Sequence, residues 1–191
     1  MIITKIFKGE SSHAVRCAFS TRCSRSIHGH SFVLEVRLEG DKLDRAGMLY
    51  DFGLMKGTIG QFVDASDHCH LIWSDDREEY KEFIKNENER WIELPFNPTA
   101  EQLSMFFFAG IDYILQHTET SNGEGQLRVH SVTYHETTTG SATCHREDVE
   151  TLFGKDWLQK TEFSQGIIDD WSDELKLIVF EGKTIKNALN S

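Results

Sequence analysis

Proline is almost missing from this 191-residue chain: Pro95 and Pro98, at a single corner, are the only two. That excludes a proline-rich linker, and no internal repeat or low-complexity tract is present either. Cysteine is sparse. Cys17, Cys23, Cys69 and Cys144 form no CxxC pair, which excludes a disulfide scaffold and makes reduced thiols the default. No apolar run reaches membrane-span length, and Met1-Ile2-Ile3-Thr4-Lys5 lacks a basic segment followed by a long apolar one. Neither export nor membrane insertion is indicated, so a cytoplasmic protein is expected. Positive charge is also short: 20 Lys and Arg face 31 Asp and Glu, for a net charge of −11. Broad nucleic-acid binding is excluded, because no basic excess is available to neutralise phosphates.

What is present suits a packed globule. Hydrophobic residues make up 39% of the chain and include thirteen Phe, enough for one domain with a sizeable core. The expected domain is residues 1–146, with a charged surface insertion at about 75–90. Residues 147–191, acidic but carrying Trp157, Trp171 and the apolar run Leu175–Phe180, read as a C-terminal extension of unknown role.

The most informative stretch is Cys23-Ser24-Arg25-Ser26-Ile27-His28-Gly29-His30-Ser31-Phe32. From Phe32 onward apolar residues fall at every second position (Phe32, Leu34, Val36, Leu38), which predicts a strand over 28–39 with one buried face. Extended backwards, the same parity puts His28 and His30 on that face. Side chains at i and i+2 of a strand sit about 6.5–7 Å apart at the backbone, so two imidazoles there can share one ion. His13, at the end of a predicted first strand over 2–13, is available as a third ligand. Three protein ligands with an open fourth position are what a catalytic zinc site needs.

Other candidates are individually weaker. Cys23 reads alone as an inert cysteine, or as a thiolate beside a metal and arginines, both of which lower a thiol pKa. Arg16, Arg22 and Arg25 surround it and read as solvated side chains or as an anion pocket. Asp67-His68 offers a carboxylate-oriented imidazole for proton transfer. Glu136, on a predicted third strand over 126–138, is a half-buried carboxylate that demands donors. Those are structural, or they are the paired N–H groups of a pterin or guanine edge. Cys69, His70, Cys144 and His145 lack metal-ligand spacing for a second zinc site.

Asp51 is placed to cap a helix running to about Ala65, and Tyr80, Phe83 and Ile84 to anchor a helix inside the insertion. Thr99-Ala100-Glu101-Gln102 has the T-x-x-Q capping pattern and opens a long apolar helix to Gln116. Ser141–Cys144 reads as a fourth strand. The order strand, strand, helix, helix, strand, strand predicts an α+β domain: a four-stranded antiparallel sheet with two helices on one face. Its free edges favour joining to other copies.

Taken together, Ser12-His13-Ala14, Cys23-(four residues)-His28-Gly29-His30, Asp51-Phe52-(three residues)-Lys56, Asp67-His68, Pro98-Thr99-Ala100-Glu101 and His135-Glu136-Thr137 resemble, in order, the 6-pyruvoyltetrahydropterin synthase family. That family includes a bacterial 6-carboxytetrahydropterin synthase branch, which Asp51-Phe52 with Lys56 resembles. The resemblance covers residues 12–137. It implies the tunnelling fold (T-fold), in which trimers close a barrel from joined sheets and pair into hexamers. It also implies that His13, His28 and His30 hold Zn2+, that Cys23 is a catalytic base, that Asp67 and His68 form a second proton relay, and that Glu136 anchors a pterin ring. Thr99, Glu101 and Arg25 are further candidates for substrate contact. The implied substrate is a pterin triphosphate, in the carboxy branch a precursor of queuosine. Ser66 and Leu71-Ile72 depart from the family's usual Leu-Asp-His-x-x-Leu-Asn. A different zinc lyase or hydrolase, and a non-catalytic pterin- or zinc-binding protein, are the competing readings of the same residues.

Overall fold

The computed structural model describes residues 1–186. Its central element is the antiparallel pair β1 (Ile2–His13) and β2 (His28–Gly40). The alternation seen from Phe32 is realised fully: Phe32, Leu34, Val36 and Leu38 are all buried. The connection 14–27 contains one short helix, α1 (Thr21–Arg25).

β6 (Leu127–His135) pairs antiparallel with β2, and β7 (Ser141–Cys144) with β6, completing the expected four-stranded unit. The sheet does not stop there. β3 (Cys69–Trp73) lies parallel to the last three residues of β1, β4 (Trp91–Leu94) runs parallel to β3, and β8 (Glu162–Phe163) closes the far edge. The result is seven strands in the order β7-β6-β2-β1-β3-β4-β8 rather than four. From Ile2 to Gly9 the other side of β1 makes no strand pairing among the described residues, because β3 reaches only Ser11–His13. Among the described residues the outer side of β7 is likewise unpaired.

α2 (Thr58–Asp64) and α4 (Ala100–Gln116) cover the buried face of the sheet. α4 begins where the capping pattern places it: the Gln102 N–H donates to Thr99 Oγ1 at 3.3 Å. α2 is shorter than expected. Asp51 Oδ1 accepts from the Gly53 N–H in a local turn, a 3-10 turn spans Leu54–Lys56, and Gly57 (ψ −122°) separates it from α2. The two helices approach closely at Gly110, where a Cβ would lie 2.2 Å from Phe62 Cε1.

The insertion contains α3 (Glu78–Glu87). Ile84 anchors it, but Phe83 is exposed. Its lysines hold it down instead: Lys85 Nζ lies 2.6 Å and Lys81 Nζ 3.4 Å from the buried Glu93 carboxylate of β4. After residue 146 come α5 (Arg146–Leu152), α6 (Gln165–Asp170) and α7 (Asp173–Glu181). Trp157, Ile167, Trp171, Leu175 and Ile178 from this segment are buried in the same core as α2 and α4. A short parallel pair, β5 (Thr118–Glu119) with β9 (Ile185–Lys186), ties it to the end of α4.

Candidate active site

The β1–β2 register sets His13 directly opposite His28 and Ser11 opposite His30. His13 and His28 are therefore cross-strand neighbours, and His30, two residues beyond His28 on β2, is the diagonal neighbour of His13 on the same face. Ring centroids lie 4.6 Å apart for His13 and His28, and 5.1 Å for each pair involving His30. One nitrogen from each ring lies within 4.8 Å of the others.

Hydrogen bonds fix which nitrogens these are. His13 Nδ1 lies 2.7 Å from the Pro98 carbonyl and His28 Nδ1 lies 3.1 Å from the Ser26 carbonyl. A carbonyl only accepts, so each Nδ1 carries a proton and Nε2 is the nitrogen left to face the cluster. The Nε2 atoms of His13 and His30 are buried without a hydrogen-bond partner. Burial lowers the His13 pKa to about 4, helped by the neighbouring His28 and His30 and opposed by the Pro98 bond. Convergent imidazole nitrogens, two of them buried without a partner, fit a divalent metal ion of the zinc type. Among the described residues this is the one such group of His, Cys, Asp and Glu.

Glu136 is not on a strand. β6 ends at His135, and the bend that follows brings Glu136 Oε1 to 3.6 Å from His13 Nε2 and 3.8 Å from His30 Nε2. The carboxylate therefore faces the imidazole cluster rather than bulk water. Cys23 lies on α1, half-buried, and its carbonyl accepts from the Val15 N–H at 2.9 Å. That bond ties α1 to the chain two residues beyond His13. The Cys23 thiol makes no hydrogen bond among the described residues.

Asp67 and His68 form a dyad. His68 Nδ1 lies 2.9 Å from Asp67 Oδ2, and Asp67 Oδ1 accepts from the Glu10 N–H at 2.6 Å. Burial pushes the Asp67 pKa up, but the bonds from Glu10 and His68 outweigh it and leave it lowered. The His68 side chain is 78% exposed and its backbone is left-handed, with φ 51°. An open cleft of about 310 Å³ beside His68 is lined by Glu10, Ser12, Ser31, His70 and Asn88; Glu10, Ser12 and Ser31 alternate away from the face that carries His13, His28 and His30.

The other expected site residues are placed as follows. Thr99 caps α4. Glu101 is exposed in the first turn of α4, where its charge suits the helix N-terminus. Arg16 is paired: Nε donates to the buried Asp76 at 2.6 Å and Nη1 to the Ser24 carbonyl at 2.7 Å, with the guanidinium over the Tyr80 ring. Arg22 and Arg25 are exposed on α1, and Arg25 lines a mixed-charge groove with Asp75, Asp76 and Arg77. Cys69, His70, Cys144 and His145 do not assemble, because β3 and β7 are separated by β1, β2 and β6.

Sequence reasoning missed the actual role of His70. Its buried ring bridges Ser12 Oγ at 2.7 Å and the Tyr80 hydroxyl at 2.8 Å, linking α3 to the strand that carries His13. Burial, then the nearby Arg16 charge, lowers its pKa to about 4. A histidine flanked by apolar strand residues was the only available signal.

Comparison with known proteins agrees with this arrangement. The profile of the 6-pyruvoyl tetrahydropterin synthase family matches residues 2–147. A 6-carboxy-5,6,7,8-tetrahydropterin synthase of Helicobacter pylori is 38% identical over 176 residues, covering 91% of this chain and 88% of that protein. That alignment is longer than the family match and so takes in part of the C-terminal segment. The Aquifex aeolicus protein of the same name is 32% identical over 127 residues, covering 64% of this chain and 75% of its own. Among solved structures, an uncharacterised protein of Wolinella succinogenes superposes with a TM-score of 0.59 at 22% identity, covering 76% of this chain and 98% of that one. The 6-pyruvoyl tetrahydropterin synthase of Caenorhabditis elegans does so with a TM-score of 0.52 at 20% identity, covering 76% and 94%. The fold is thus the T-fold of these proteins, and the chain belongs to the 6-pyruvoyl tetrahydropterin synthase family.

Proposed function

We propose that this tetrahydropterin synthase is the carboxy-forming type. It converts 7,8-dihydroneopterin triphosphate and one water to 6-carboxy-5,6,7,8-tetrahydropterin, releasing triphosphate and acetaldehyde, as a step toward queuosine. The observation that carries the reading is the convergence of His13, His28 and His30 beside Glu136. The 38% identity to proteins named for the carboxy product favours that branch.

His13, His28 and His30 would hold zinc through the nitrogens not engaged by Pro98 and Ser26. Bound there, zinc supplies Lewis acidity toward the hydroxyls of the substrate side chain. Glu136 accepts paired hydrogen bonds from the amino-pyrimidine edge, charge-assisted and therefore strong. Cys23, as thiolate, takes a proton at one face of the side chain. His68, oriented through Nδ1 by Asp67, leaves Nε2 free to exchange a proton at the other face.

Copies join through the open edges of β1 and β7 into a trimer and hexamer. A neighbouring copy then covers His68, whose exposure is otherwise at odds with a proton relay.

The deciding experiment incubates the purified protein with 7,8-dihydroneopterin triphosphate and identifies products by mass. Acetaldehyde with a 6-carboxy product is expected. Triphosphate release without acetaldehyde selects the pyruvoyl product instead, and no triphosphate release retires both.

A further inference from the structure

Arg90 immediately precedes β4 and is mostly buried, with a side chain 19% exposed. All three of its guanidinium nitrogens are engaged. Nε donates to the Asp67 carbonyl at 3.0 Å, Nη2 to the Asp64 carbonyl at 2.9 Å, and Nη1 to the Asp170 carboxylate. A planar, rigid fork that binds two carbonyls three residues apart fixes the backbone between them. That backbone is the turn that presents Asp67 and His68.

The turn needs such support. His68 is one of two non-glycine residues with positive φ among the described residues, a conformation that persists only where its surroundings over-determine it. Glu10 holds one side: its N–H donates to Asp67 Oδ1 and its carbonyl accepts from the His68 N–H at 2.7 Å. Arg90 holds the other.

Asp170 ends α6, in the segment beyond the family match. Independent contacts seat α6 against Arg90. The Ser164 N–H donates to the Trp91 carbonyl at 3.0 Å, and the Trp91 N–H donates to Ser164 Oγ at 3.2 Å. At Gly166 a Cβ would lie 2.8 Å from the Glu89 carbonyl oxygen, so only glycine permits this approach. The C-terminal segment thus reaches the candidate relay through one arginine.

The geometry points to Arg90 as the positioning residue of the Asp67–His68 dyad, with Asp170 of the C-terminal segment holding Arg90 in place. This rests on reading the dyad as a proton relay. Misplacing a reacting group by about 1 Å costs on the order of 10²-fold in rate, which sets the scale expected when the clamp is removed.

The test is a double-mutant cycle on the full-length, metal-loaded protein, with variants H68A, R90M and H68A/R90M, and with D170N and D170E. Steady-state kinetics, metal content and amide hydrogen exchange at residues 66–69 are measured on each. R90M is expected to lower kcat on the order of 10²-fold with little change in KM or metal content, and to speed exchange at 66–69. Adding R90M to H68A should cost nothing further, because both act through one group. D170N, which leaves Arg90 in place should R90M not fold, should lower kcat several-fold and D170E should restore it. Losses that multiply in H68A/R90M, or unchanged exchange and kcat in both R90M and D170N, overturn the proposal. Full activity in H68A alone retires the relay reading instead; exchange that stays slow in R90M then removes the clamp as well.

Discussion

His13 Nδ1 sits 2.7 Å from the carbonyl oxygen of Pro98, 85 residues away in sequence. That bond turns the other ring nitrogen toward His28 and His30, so the corner before α4 sets the geometry of the β1–β2 cluster.

Removing one imidazole should therefore empty the site. H28A is expected to bind far less than one equivalent of zinc while keeping its circular dichroism spectrum, because two ligands hold zinc poorly. H13A should also lose stability, by about 1–3 kcal/mol, since it leaves the buried Pro98 carbonyl unpaired. Metal analysis and urea titration read the two effects, and full zinc stoichiometry in H28A would refute the ligand assignment.

Acid should destabilise the metal-stripped protein. His13 and His70 have pKa values lowered from 6.5 to about 4. Between those values the unfolded chain takes up protons that the folded one refuses. Their contribution is fully present above pH 6.5 and falls away as pH drops toward 4, by about 3 kcal/mol each. Urea titrations of chelated protein at pH 7, 5.5 and 4.5 should show the decline, and His70→Gln should flatten it. A slope unchanged by that substitution would rule out His70 as a source.

Cys23→Ala is expected to keep zinc and fold but lose most turnover. The half-buried thiol makes no hydrogen bond among the described residues, so its removal leaves no partner unsatisfied. Wild-type rates in this variant would reduce the thiol to packing.

Glu136→Gln should reduce kcat/KM by about 10- to 100-fold, the scale of a hydrogen bond to a charged group, while zinc content stays near wild type. Loss of metal instead of affinity would assign the carboxylate to the ion, 3.6–3.8 Å being its present distance from two of the imidazoles.

Truncation after residue 146 should abolish cooperative unfolding. It removes Ile167, Leu175 and Ile178, all fully buried, and the loss of each such side chain costs about 2–5 kcal/mol. A soluble, cooperatively melting 1–146 fragment would instead show that the domain expected over 1–146 folds alone.

Local signals carried most of what could be read beforehand. Strict alternation gave β2, and its parity put His28 and His30 on one face. The Thr99 cap and the apolar run behind it gave α4. What escaped depends on distant partners. Gly57 splits a helix that periodicity alone continues. A bulge opposite Arg37 and Leu38 skips His130, placing Val129 on the same face as Val132, against simple alternation. Arg16 looked free because its partner Asp76 is 60 residues away. β8 is two residues long, beneath any strand pattern, and the acidic surface of the last segment hid a buried stripe.

The bare flank of β1 from Ile2 to Gly9 makes concentration a variable for this protein. Among the described residues nothing pairs with the amides and carbonyls on that side, which leaves them to water or another chain. If copies meet there, dilution pulls them apart and uncovers His68 in the same event. Specific activity would then fall with protein concentration while zinc content did not, and covalent linkage of neighbouring copies would abolish that dependence.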